Sequence, residues 1–207
     1  MMKLWIYGDS FADPNFNPAG WSWPSRLADK YDVTNNAVYG SGPYWSLHKL
    51  LDDIESADQN TCLIFVESVT DRLPLSGFDE PGHQVRISKI AEGVNKQKNL
   101  SPNQARVIIQ QLLTKDWMHK SPLHIFGAVN SIAHHFKKVL YWPLTVKKHT
   151  LVKCADNLKL QPIGLRTISD DEIGYGRPLQ RPDDRPNHLT QPNHDFVYKI
   201  VQQWLKQ

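Results

Sequence analysis

The chain has 207 residues, with 24 lysines and arginines against 21 aspartates and glutamates for a net charge of +3, and 40% hydrophobic against 22% charged residues. That length lets one domain bury about two-thirds to three-quarters of its unfolded surface, so a single domain over 1–207 is expected without staples. The charges form no basic stripe interleaved with aromatics, which argues against a nucleic-acid partner, and no stretch approaches the roughly 18 apolar residues of a membrane span. Lys137-Lys138 and Lys147-Lys148 read as solvated surface. Cys62 and Cys154, unpaired by pattern, point to a reducing compartment. Leu4 to Tyr7 is too short for the core of a signal peptide, so the cytoplasm is the expected address.

In chain order, residues 3–7 (KLWIY) form an apolar run cut off by Gly8-Asp9-Ser10, the pattern of a buried parallel strand ending in a tight turn. A helix is expected over Trp21–Asp29, a strand over Asp32–Val38 ahead of Gly40-Ser41-Gly42, and a helix over Trp45–Ile54 with Leu47, Leu50, Leu51 and Ile54 on one face. Residues 62–66 (CLIFV) and 123–129 (LHIFGAV) read as strands, with a fifth at Val139–Trp142 or Leu158–Ile163. The polar stretch 72–100 reads as an insertion with a short helix near Val85–Ala91. Ser101-Pro102-Asn103-Gln104 has the form of a capping box opening a helix, and Ile132–Lys138 reads as another. Residues 166–187 are expected to be irregular. A final helix over Pro192–Leu205 repeats Phe196, Val197, Ile200, Val201, Trp204 and Leu205 at helical spacing. Strands alternating with helices predict a three-layer α/β/α, doubly wound parallel sheet of about five strands.

In such a sheet ligands gather beyond the C-terminal strand ends, where Ser10 falls. A serine hydroxyl becomes a nucleophile when a base takes its proton, and its own N–H at a helix start helps to hold an oxyanion. Gly8 permits the tight turn, and Asp9 is suited to bonding the loop amides. The nine histidines show no zinc-ligand spacing, so neither metal nor cofactor is expected. Trp21, Trp23 and Trp45 follow the two loops expected to line the site, as core or as an aromatic wall for a sugar or acyl group.

Read together, residues 5–11 (WIYGDSF) resemble the first block of the SGNH/GDSL hydrolases, with Phe11 where the family has leucine. Asn36-Ala37-Val38-Tyr39-Gly40-Ser41-Gly42 resembles the second, whose glycine N–H serves the oxyanion hole. The third, G-x-N-D, is altered: in Glu67-Ser68-Val69-Thr70-Asp71-Arg72, Ser68 replaces the glycine and Thr70 the asparagine. Asp183-Asp184-Arg185-Pro186-Asn187-His188 resembles the last block, D-x-x-H, with one or two extra residues. The resemblance implies a flavodoxin-like fold and hydrolysis of a small acyl, carbohydrate or lipid ester through an acyl-serine. It implies Ser10 as nucleophile, His188 as base, Asp183 or Asp184 as its orienter, and Ser10, Gly40 and Thr70 as oxyanion donors. Asp9, Phe11, Trp23, Tyr39, Arg72 and Arg185 are the substrate-side candidates, with Arg72 a source of positive charge. Acyl transfer at the same site and a non-catalytic binding module on the same scaffold are the alternatives.

Overall fold

The computed structural model describes residues 1–16, 20–69, 72–73, 85–86, 115–145, 153–170 and 189–207. Five strands make one parallel sheet: β1 (Lys3–Tyr7), β2 (Asp32–Asn35), β3 (Thr61–Val66), β6 (Lys138–Trp142) and β7 (Leu158–Leu160), in the order β2-β1-β3-β6-β7. Two short strands, β4 (Arg72–Leu73) and β5 (Val85–Arg86), form a separate antiparallel pair. The helices are α1 (Trp23–Ala28), α2 (Pro43–Asp53), α3 (Lys115–Ser131), α4 (Leu165–Asp170) and α5 (Gln191–Lys206).

The central strands β1, β3 and β6 are apolar on both faces because both faces are covered. Leu4 and Ile6 of β1, Cys62, Ile64 and Val66 of β3, and Leu140 and Trp142 of β6 pack with Trp23 and Leu27 of α1, Leu165 and Ile168 of α4, and Val197, Val201 and Trp204 of α5. The alternate residues Trp5, Tyr7, Leu63, Phe65, Val139 and Tyr141 pack on the other side with Leu50 of α2 and Ile125, Phe126 and Val129 of α3. The fold is therefore a doubly wound, three-layer α/β/α sandwich, as its strand and helix alternation predicts.

Local chemistry fixes the element starts. Ser22 caps α1, its Oγ accepting from the Ser25 N–H, with Pro24 in the first turn. The N–H of Trp23 donates to Nδ1 of the buried His194 at 3.2 Å, which satisfies one of the orphan donors of that helix end. Pro43 opens α2, and Thr190 stands at the N-cap of α5, its backbone carbonyl accepting from the His194 N–H at 2.8 Å.

Three expectations are corrected. Residues 123–129 are helix, not strand: Ile125, Phe126 and Val129 recur at helical spacing and are buried on one face, while Pro122 and Gly127 masquerade as strand punctuation. Both stretches offered for the fifth strand are then strands, and the sheet keeps five. Ile132–Lys138 supplies only the 3-10 turn Ala133–His135 before β6 begins. Within the expected insertion, Val85–Arg86 is strand and not helix. The capping box at Ser101 and most of 72–100 lie outside the described residues, as does most of 166–187, whose start belongs to α4. Among the described residues no helix is long and apolar enough to cross a membrane.

Candidate active site

The chain leaves β1 for β2 through α1 on one face and returns from β2 to β3 through α2 on the other, so the winding reverses between β1 and β3. A crevice opens beyond the C-terminal ends of strands at such a reversal. Gly8-Asp9-Ser10 leaves β1 at this point. The Asp9 carbonyl accepts from the N–H groups of Ala12 and Asp13, each at 2.9 Å, which makes a helical turn of the segment carrying Ser10. Ser10 is 6% exposed.

The loop after β2 is tied to this turn at several points. The Gly8 carbonyl accepts from the Val38 N–H at 3.0 Å and from the Ser41 hydroxyl at 3.0 Å. The Tyr39 N–H donates to Asp13 Oδ2 at 2.7 Å, and the Asn35 side chain donates to the Ala12 carbonyl at 2.9 Å. The strand β2 ends at Asn35 and not at Val38, while the Asn36 and Val38 N–H groups still donate to the Ile6 and Gly8 carbonyls at 2.8 and 3.0 Å. Gly40 has φ of +79°, a conformation that side chains disfavour, and this gives the second block its glycine. Asn36 turns toward α2, where its amide and the Tyr7 hydroxyl both donate to Asp53 Oδ2.

The loop after β3 closes the third side. Ser68 Oγ donates to the Ser41 carbonyl at 2.9 Å, and Arg72 Nη1 donates to the same carbonyl at 3.0 Å and to Asp9 Oδ2 at 3.4 Å. Three strand ends thus share one network around the residue that follows Asp9. Glu67, also buried, accepts from the Leu144 N–H at 3.3 Å and links β3 to the end of β6.

Burial pushes the Asp9 carboxyl above its ordinary value of 3.8, opposed by the Arg72 charge, the Phe11 N–H and the Ser68 hydroxyl. A raised carboxyl pKa means the folded state holds this proton more tightly than the unfolded chain does. Below 3.8 both states are protonated and the ionisation costs nothing; as pH rises past 3.8 the unfolded chain ionises first and stability falls, until the folded carboxyl ionises too. The melting temperature of the wild type relative to Asp9→Asn is accordingly expected to decline as pH rises above 3.8. A rise over that range would show that pairing with Arg72 outweighs burial.

Phe11 and Trp23 lie in the core, 5% and 1% exposed, with Trp23 Nε1 donating to the Phe11 carbonyl at 2.8 Å; neither forms an open wall. Tyr39 is 55% exposed and stacks on Phe16 with ring centroids 5.0 Å apart. Thr70, Asp183, Asp184, Arg185 and His188 lie outside the described residues. The bracing roles of Asp13, Ser41 and Ser68 escape a motif reading. Asp13-Pro14-Asn15 does carry a turn signal, and the Asn15 N–H indeed donates to Asp13 Oδ1 at 2.8 Å.

Fold and strand-end network define a flavodoxin-like α/β protein with Ser10 in the turn after β1, where the winding of the sheet reverses. Among solved structures, the crystal structure of TesA shares this fold with a TM-score of 0.55 and 14% identity, covering 99% of this chain and 98% of that one. The sequence matches no protein-family model and no curated protein.

Proposed function

We propose that the protein is a serine-dependent SGNH-type hydrolase acting on an ester or thioester through an acyl-serine intermediate. The observation that carries this reading is the placement of Ser10 in the turn after β1, at the winding reversal, with the Gly40 loop hydrogen-bonded to that turn. The likeness to TesA supports a hydrolase of the esterase or thioesterase type.

In this mechanism His188 takes the proton of Ser10 Oγ as the oxygen bonds to the substrate carbonyl carbon, and the carbonyl electron pair moves onto its oxygen. The N–H groups of Ser10 and Gly40 receive that charge, with a third donor from the loop after β3. Collapse breaks the bond to the leaving group, which takes the proton from His188, and water then repeats the sequence on the acyl-serine. Asp183 or Asp184 holds the imidazole in the tautomer that faces Ser10. Leu189, which follows His188 in the chain, is buried in the core cluster that also holds Phe11, the residue after Ser10. The exposed face of Tyr39 offers an aromatic surface to the substrate.

Stopped-flow release of p-nitrophenol from p-nitrophenyl acetate tests the intermediate, read together with the intact mass of acid-quenched enzyme. One acetyl group per chain during turnover is the expected result. Catalysis of release with no acetylated protein at any substrate concentration would contradict an acyl-enzyme. Acceleration by an added alcohol, with the acetyl group recovered on it, would assign the same site to acyl transfer.

A further inference from the structure

We propose that Arg72 takes the place of the family's third oxyanion donor, so that a guanidinium, not a side-chain amide, meets the charge on the reacting carbonyl oxygen. The proposal rests on the reading of Ser10 as nucleophile.

Position is the first argument. Arg72 Nη1 bonds to Asp9 Oδ2 and to the Ser41 carbonyl. Asp9 precedes Ser10 in the chain and Ser41 follows Gly40, so the guanidinium is fastened to the immediate neighbours of both backbone donors. Arg72 also emerges from the loop after β3, the segment that delivers the third donor in the family pattern. Thr70, the substitute nearest in sequence, has a shorter side chain than asparagine.

Chemistry is the second argument. A guanidinium carries five N–H donors. Nη1 is held by Asp9 and Ser41, and these two bonds fix the guanidinium plane beside the turn that carries Ser10. The side chain is 18% exposed, so its field is less screened than that of a surface arginine. Being protonated throughout the working pH range, it gives up no proton: as the Oγ–C bond forms and the carbonyl pair moves to oxygen, Arg72 stabilises that charge by hydrogen bonding alone. The rigid mount is part of the device, since the Ser41 carbonyl that holds Arg72 is also held by Ser68 Oγ.

The test uses the full chain with Arg72→Gln, Arg72→Lys and the double variant Asp9→Asn/Arg72→Gln, which removes both charges of the buried pair and guards against a fold lost to an unpaired Asp9. Folding is followed by thermal melts and circular dichroism. The readouts are kcat and KM for p-nitrophenyl acetate and the second-order rate of Ser10 phosphonylation by a fluorophosphonate, whose transition state develops a like charge. Both Gln variants are expected to lose roughly 10²- to 10³-fold in kcat and in phosphonylation rate, with KM changed only a few-fold and Arg72→Lys retaining part of the rate. Folded Gln variants that react at the wild-type rate would overturn the proposal and leave Arg72 a brace between loops. Activity lost only in proportion to the unfolded fraction would overturn it as well. A wild-type chain that turns over and acetylates a residue other than Ser10 would instead remove the nucleophile reading beneath it.

Discussion

The Ser10→Ala variant is expected to melt close to the wild type and to lose about 10⁶-fold in kcat on short-chain p-nitrophenyl esters. The magnitude follows from the mechanism: without Oγ there is no acyl-enzyme, and the oxyanion donors alone leave a small residue of catalysis over water. The modest stability effect follows from size, because one hydroxyl in a turn braced by its backbone contributes about 0.5–1.5 kcal/mol net. The turn itself is held by Ala12 and Asp13 on the Asp9 carbonyl, and these bonds survive the substitution. Steady-state kinetics beside a thermal melt separates the two effects. A folded variant that retains wild-type turnover would place the chemistry elsewhere in the chain.

Gly8→Ala is expected to damage both stability and catalysis. Gly8 continues β1 beside the end of β3, opposite Val66 in the register that pairs Ile6 with Ile64 and Tyr7 with Phe65. A β-carbon there would meet Val66 Cβ at 2.6 Å and the Val66 carbonyl oxygen at 3.1 Å. Neither is the end of a flexible side chain, and Val66 is itself buried in the core, so the backbone of one strand has to move. Such overpacking costs about 1–3 kcal/mol. The displaced backbone includes the Gly8 carbonyl, which holds Val38 and Ser41, and Ser10 lies two residues beyond. A shift of roughly 1 Å at a reacting group costs about 10²-fold in rate, so activity should fall further than the loss of folded protein explains. Denaturant unfolding with kcat measured well below the midpoint checks this, and wild-type kcat in a merely destabilised variant would show that the clash relaxes away from Ser10.

Much of the architecture was legible because it rests on periodicity and punctuation. The first strand is four buried residues ended by glycine, and α5 repeats its apolar positions over four turns, so neither depends on tertiary context. The error at 123–129 has a physical origin: a short apolar run suits a buried strand or a buried helix equally, and only contact with the β3–β6 face decides between them. The site was legible in part. Ser10 and Gly40 announce themselves through turn chemistry, and the positive φ of Gly40 bears out a glycine requirement at that loop. The bonds from Ser68 and Arg72 to the Ser41 carbonyl join residues 27 and 31 positions apart, and no local pattern encodes them. Phe11 and Trp23, both substrate-side candidates, are buried, and for Trp23 this is the core alternative that its sequence position also allows.

The central claim is that Ser10 is an activated nucleophile served by His188. The most direct measurement is the site and rate of labelling by a fluorophosphonate, read by intact mass and peptide mapping on the wild type, Ser10→Ala and His188→Ala. One phosphonyl group per wild-type chain, located on Ser10, is expected, with no label on Ser10→Ala and labelling slowed by orders of magnitude in His188→Ala. A folded wild type that stays unlabelled, or a His188→Ala variant that labels as fast as the wild type, would contradict it.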